Sequence, residues 1–303
     1  MSAHSWCYDD HCDLSPSQWH LLPDSYCDGE RQSPINIDTE NVELDESLDS
    51  FKFTNFDDKH AIKYITNTGH TVKCVLKDDV VEVSGGGLEH DYSTLQFHFH
   101  WGTESQDSEG SEHTVDSKRY PMEMHIVTKR KNLTLDEALK MPNGLAVLGF
   151  FIEVSHASKS SSHLNEAAHP SSSPTSGMEA WKKLTTYLPA VQDINSKFEV
   201  TDEISIDDLL GSVNRQSYYR YNGSLTTPSC NEAVVWMVFK ESVKVDHDLM
   251  MMFPKHAEYH NVYWSAQSLH ARKLHTTKAS SASSFPGPIL LYMLLSCLCV
   301  LFR

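Results

Sequence analysis

Gln96-Phe97-His98-Phe99-His100-Trp101 alternates polar and aromatic residues without a break. Side chains two apart on a strand point to the same face, so Gln96, His98 and His100 share one side and Phe97, Phe99 and Trp101 the other. Some twenty residues on, Glu123-Met124-His125-Ile126-Val127 repeats the pattern. Glu123, His125 and Val127 share a face, with Met124 and Ile126 behind. The separation lets the two strands pair as antiparallel neighbours. Strand-like runs in all cover 71–76, 80–83, 95–101, 122–128, 145–154 and 233–240. Helical signals are fewer: 134–140, which carries a Thr…Glu capping pattern, 177–188 and 246–253. The Ser-, His- and Pro-rich stretch 155–176 reads as an exposed loop. No internal repeat or linker interrupts the chain before residue 275. A single mostly-β domain is the simplest reading.

Pairing the two strands brings three imidazoles together. Three neutral histidines with a fourth position open form a catalytic zinc arrangement rather than a closed structural one. A ligating histidine usually gives its other N–H to a polar partner, and Gln96 and Glu123 are placed for that role. An isolated HxH in a chain with 18 histidines is ordinary surface decoration. An HxH and an ExH on successive apolar strands differ, because burying three histidines without a metal leaves costly polar groups.

The chain has 303 residues, 40% of them hydrophobic and 22% charged, which is a globular composition. Its 41 acidic residues outnumber 25 basic ones, for a net charge of −16. That balance argues against nucleic-acid binding, which needs a basic face. None of the seven cysteines makes a CxxC, so a cysteine-based zinc site is not expected.

Two sequons, Asn132-Leu-Thr and Asn222-Gly-Ser, fit a secreted chain, with Asn132 the better placed. Residues 289–302 form an apolar run too short for a spanning helix. A small-residue stretch, 279–284, and Pro286-Gly287-Pro288 precede it. Small residues, a spacer and a terminal apolar tail make up a GPI-anchor signal, which we favour over a short tail anchor, with attachment near Ser280. The start of the chain lacks the apolar core of a signal peptide, so the signal is expected to be missing from this sequence.

Stretches 32–37 (QSPINI), 96–102 (QFHFHWG), 110–116 (GSEHTVD), 123–127 (EMHIV) and 223–228 (GSLTTP), with Gly69-His70, resemble the α-carbonic anhydrases. The Trp6-Cys7-Tyr8 start, the cysteine pattern and the tail resemble the GPI-anchored carbonic anhydrase IV branch. The resemblance implies a central twisted, mainly antiparallel sheet of about ten strands with short peripheral helices. It implies reversible hydration of carbon dioxide to bicarbonate and a proton, with Zn2+ as cofactor. The family's zinc ligands fall on His98, His100 and His125. The residue that orients the attacking hydroxide falls on Thr226, its hydrogen-bond partner on Glu112 and the proton shuttle on His70. The carbon dioxide pocket falls on Val127, Val147, Leu225 and Trp236. Thr227 matches a second active-site threonine, and Tyr8 a tyrosine lining the water network. Disulfides Cys7–Cys12 and Cys27–Cys230 are expected, the second clamping the Thr226 loop, with Cys74 left as a buried thiol. The other 14 histidines need no special role.

This gives a catalytic domain over 1–272, a Ser-rich stalk over 273–288 and a removable tail over 289–303, with membrane attachment through the anchor and bicarbonate transporters as candidate partners. The sequence departs from the family at Thr68 and Lys73, both often Asn there; a cation at 73 is expected to lower the pKa of His70. Segment 259–269 looks shortened, which puts support behind one zinc-ligand histidine in question. The competing reading is an extracellular binding module on the same fold with weak or no catalysis, and a further one is a non-functional product.

Overall fold

A computed structural model of the chain describes residues 6–9, 12–105, 107–155 and 174–278. In chain order the strands are β1 (Asn36–Ile37), β2 (Glu43–Leu44), β3 (Phe51–Thr54), β4 (Ile62–Asn67), β5 (Val72–Leu76), β6 (Glu82–Gly85), β7 (Tyr92–Trp101), β8 (Thr114–Val115), β9 (Lys118–Arg119) and β10 (Met122–Arg130). They continue as β11 (Leu145–Val154), β12 (Lys197–Glu199), β13 (Tyr218–Gly223), β14 (Val234–Val245) and β15 (His275–Thr276). Twelve of them make one sheet, ordered β12-β4-β5-β7-β10-β11-β14-β13-β15-β2, with β3 and β6 joining beside β7. Most neighbours are antiparallel; β11–β14 and β15–β2 are parallel. A small second sheet holds β1, β8 and β9.

Period-two patterning placed the central strands well, and 145–154 is β11 to the residue. The run expected over 233–240 continues to Val245. Its polarity alternation breaks at Lys240-Glu241, where β14 slips register against β11, and burial resumes at Val243 and Val245. Beyond residue 272, β15 still pairs with β13 and β2, so the sheet reaches into the segment expected to be stalk.

The short helix α1 (Leu135–Ala138) starts at the expected capping box: the Thr134 hydroxyl accepts the Glu137 N–H, and Glu137 accepts the Thr134 N–H. Helix α2 (Pro174–Thr186) begins inside the stretch expected as loop, with proline at its first position, where its fixed φ suits a helix. Residues 156–173 of that stretch lie outside the described residues. Helix α2 stops short of 188 because Pro189 has no N–H to continue the ladder. Helices α3 (Ile206–Leu210) and α4 (His247–Ala257) follow.

One face of the sheet builds the main core. Phe97, Phe99, Met124, Ile126, Phe150 and Phe239 project there and are buried. Phe99 packs on Trp181 of α2 and Phe253 of α4, and Phe150 stacks on Phe239 with centroids 4.3 Å apart. Each such ring removes about 150–250 Å² from water, so this face contributes strongly to stability. The other face is free to carry chemistry.

Both expected disulfides form. Cys27–Cys230 closes a separation of 203 residues, worth about 5 kcal/mol at most in the chain-entropy view. It ties the 226–230 turn to the N-terminal region, where Tyr26 N–H also donates to Ser229 O. Cys74 is the buried free thiol. Among the described residues no helix is long and apolar enough to cross a membrane.

Candidate active site

Three rows of cross-strand partners build the site. His98 pairs with His125, which pairs with Gly149 on β11. His100 pairs with Glu123 on one side of that row, and Gln96 with Val127 on the other. Val127 continues through Val147 to Trp236. Directly opposed residues share a face, so all of these side chains stand on the side away from the main core.

One ring nitrogen from each of His98, His100 and His125 lies within 4.8 Å of the others. The opposite nitrogens are engaged. His98 Nδ1 is 2.9 Å from Gln96 Oε1, His100 Nδ1 is 2.8 Å from the Val262 carbonyl, and His125 Nε2 is 2.7 Å from Glu123 Oε1. All three partners are acceptors, which assigns the ring protons to those nitrogens. The inward nitrogens are therefore lone pairs. His100 Nε2 and His125 Nδ1 stand 3.0 Å apart, and with both protons committed outward they face each other as two acceptors. A cation between them satisfies both. Burial first, then the mutual proximity of the rings, holds His98 and His100 well below the ordinary histidine pKa. Burial likewise lowers His125, against the pull of Glu123. Neutral imidazoles are the form that binds a metal.

Glu112 adds to the fit. Its carboxyl is fully buried, and Oε1 accepts the Trp264 N–H at 2.9 Å. Oε2 has no hydrogen bond among the described residues and lies 3.5 Å from His100 Nε2 and 3.9 Å from His125 Nδ1. Burial pushes this carboxyl well above the usual range, although Thr226 beside it and the Trp264 N–H act to lower it. An orphaned carboxyl oxygen next to facing lone pairs marks a place for positive charge, which would also favour the ionised form of the carboxyl.

Glu123 is saturated. Its Oε2 accepts the backbone N–H of Glu112 and of His113, both at 2.8 Å, and Oε1 serves both His113 Nδ1 and His125 Nε2 at 2.7 Å. Burial works to raise its pKa, but His113 and His125 outweigh it and hold the group well below normal. His113 Nε2 lies 2.7 Å from the Tyr221 hydroxyl, which lies 2.9 Å from Ser33 Oγ. Ser33 and Ser224 exchange hydrogen bonds just before the Leu225-Thr226 turn. A buried chain thus joins His125 to the Thr226 loop. His113 corrects the expectation that the remaining histidines have no role. It lay in the quoted 110–116 stretch beside Glu112, the one signal available, but its partners are distant in sequence.

Val127, Val147 and Trp236 form one apolar cluster with Leu225 packed against it, and Trp236 meets His125 edge-on at 4.8 Å. Thr226 is buried; Thr227 is partly exposed and its carbonyl accepts the Cys230 N–H. His70 lies in the turn between β4 and β5 rather than in a strand. Gly69 at φ +82° and the Thr68 hydroxyl, which accepts the N–H groups of His70 and Thr71, make that turn. The His70 ring stacks on Trp6 at 3.6 Å, and burial lowers its pKa. The expected influence of Lys73 falls instead on His98, its partner across β5 and β7. Tyr8 packs edge-on against Trp6 and Trp19; burial and the nearby Glu112 raise its pKa.

Segment 259–269 does support the site. Val262 N–H donates to the Trp101 carbonyl at 2.8 Å, Trp101 Nε1 donates to the Tyr259 carbonyl at 3.0 Å, and Val262 and Trp264 reach His100 and Glu112 as described. Asn132 is exposed, with φ +65°. Ser280 lies outside the described residues.

The family model for eukaryotic-type carbonic anhydrase matches residues 14–278. The chain is 35% identical over 258 residues to "Putative carbonic anhydrase 3" of Caenorhabditis elegans, covering 84% of this chain and 87% of that protein. It is 35% identical over 260 residues to "Carbonic anhydrase 4" of Oryctolagus cuniculus, covering 84% and 75%. Against "Carbonic anhydrase 4" of Rattus norvegicus it is 33% identical over 314 residues, covering 97% and 91%. A family match across nearly the whole described chain, on a fold that gathers the three histidines, leads to one conclusion: the chain belongs to the eukaryotic-type carbonic anhydrases, enzymes that hydrate carbon dioxide.

Proposed function

We propose that this carbonic anhydrase works with a zinc ion held by His98, His100 and His125, at the outer face of the cell. The observation that carries the metal reading is the pair of facing lone pairs on His100 and His125, 3.0 Å apart, whose protons are fixed outward. Carbonic anhydrase is itself the usual illustration of what zinc supplies in such a site: Lewis acidity that makes water acidic near neutral pH. The residues around it divide the rest of the work. Glu112 accepts a hydrogen bond from the Thr226 hydroxyl, which leaves Thr226 Oγ to accept a hydrogen bond from the attacking oxygen and so aim its lone pair. Val127, Val147, Leu225 and Trp236 give carbon dioxide an apolar wall and exclude water from it. Thr227 and Tyr8 line the polar side. His70, half-buried in its turn, passes the surplus proton to solvent. Gln96 and Glu123 fix the ligand rings.

The location reading draws on the two disulfides, which fit an oxidising compartment, and on the C-terminal signal. The catalytic domain carries a glycan at Asn132 and is followed by a stalk and a GPI anchor near Ser280; bicarbonate transporters are candidate partners there. Metal analysis and stopped-flow carbon dioxide hydration test the first part: one zinc per folded chain and hydration abolished by chelation are expected. Folded protein that refuses zinc, or zinc-loaded protein without activity, overturns it. Release from cells by a GPI-specific phospholipase tests the second, and retention overturns it.

A further inference from the structure

Lys73 lies on β5 directly across from His98 on β7, with Val75 across from Gln96. Cross-strand partners share a face. Burial agrees: Val72, Cys74 and Leu76 enter the main core, while Lys73 and Val75 stand partly open on the metal face. Several other lysines have partners. Lys118, Lys131, Lys182, Lys244 and Lys273 meet carboxylates, and Lys197 and Lys240 sit over tyrosine rings. Among the described residues no carboxylate or ring pairs with Lys73, although acids outnumber bases 41 to 25. The nearest consequence of its charge is felt at His98. A partly desolvated ammonium on the face of the ligand set, with no carboxylate or ring partner, has its attraction for an anion unspent.

We propose that Lys73 is an anion-docking residue, whose ammonium holds bicarbonate and competing small inorganic anions beside the histidine triad. This rests on the zinc reading above. A chain of net charge −16 repels the anionic product at long range, and a local cation reverses the sign where the reaction occurs. Carbon dioxide is uncharged and gains nothing from Lys73. The overall equilibrium fixes the ratio of kcat/KM in the two directions, so Lys73 cannot favour one of them; it sets how tightly anions are retained.

The test titrates cobalt-substituted holoenzyme with thiocyanate, followed by its visible spectrum, beside bicarbonate inhibition of the zinc enzyme. Lys73→Gln is expected to weaken both by about tenfold, with metal content unchanged, and the gap is expected to shrink as ionic strength rises. Lys73→Arg is expected to restore binding to within about twofold, since it restores charge. Unchanged anion affinity in Lys73→Gln, with metal content and hydration intact, overturns the docking role and leaves the zinc reading standing. Equal weakening in the Gln and Arg variants also overturns it, because charge would not be what binds. Wild-type protein that takes no metal overturns the zinc reading and the docking role with it.

Discussion

Glu123 Oε1 lies 2.7 Å from His125 Nε2, and the same oxygen lies 2.7 Å from His113 Nδ1. One carboxylate thereby sets the tautomer of a candidate metal ligand while being gripped by a second histidine. Its two oxygens take four donors in all. Glu123→Gln preserves the outline but leaves one oxygen to serve them and sets an NH2 against the rest. We expect zinc affinity to fall about 10–100-fold, measured by competition with a chromogenic chelator. Unchanged affinity would show that Glu123 does not govern His125.

Gly149 stands across from His125, and a Cβ placed on it would come 3.2 Å from Glu123 Oε1 and 3.7 Å from both Trp236 and Val238. The missing side chain is the space that the carboxylate and the indole occupy. Gly149→Ala needs only small shifts. Gly149→Val adds branching inside that space and is expected to destabilise the fold by about 1–3 kcal/mol. Thermal unfolding of the zinc-depleted protein isolates this cost from metal binding. The Val variant should also bind zinc more weakly than the Ala variant, and equal values would place the strain away from Glu123.

The same residues show what the sequence could reveal. His98, His100, His125, Gln96, Glu123 and Val127 were legible because a strand's period of two assigns a face from spacing alone. The register that joins Val127 to Val147 and Trp236 adds what one strand cannot show. The partner of His100 is a backbone carbonyl at Val262, and a carbonyl has no sequence signature. His113 stayed hidden because its partners Glu123 and Tyr221 lie 10 and 108 residues away. The His70 turn is set by Gly69 at φ +82° and by the Thr68 hydroxyl, a local conformation that strand spacing alone does not show.

Acid stability follows from a different carboxylate. Glu153 lies at 2.5 Å from Ser242 Oγ, with Lys244 and Lys118 also on it. Burial acts to raise its pKa, but Lys244, Ser242 and Lys118 together lower it to about 2 from 4.5. A folded pKa below the unfolded one contributes stability above pH 4.5, and that contribution is lost as pH falls toward 2. Glu153→Gln should therefore lower Tm at neutral pH and flatten its fall between those limits. Parallel Tm curves for the two proteins across that range would mean that the Lys244 pairing contributes nothing.

His70 offers a separation of chemistry from proton removal. Its ring is stacked on Trp6 at 3.6 Å, in the turn between β4 and β5, and burial lowers its pKa. A relay acts after bicarbonate has formed, so removing it slows turnover without touching the capture of carbon dioxide. His70→Ala should lower kcat by about tenfold or more, up to the roughly 10²–10⁴ lost with a proton-transfer group, while kcat/KM stays unchanged. Imidazole added as a diffusible base should recover part of kcat. Trp6→Ala frees the ring from its stack and retains it as a base, so its kcat should fall less than that of His70→Ala. A drop in kcat/KM for His70→Ala would instead make this histidine part of the binding surface. Equal losses in the two variants would make the stacked position itself, rather than a mobile ring, the one that relays the proton.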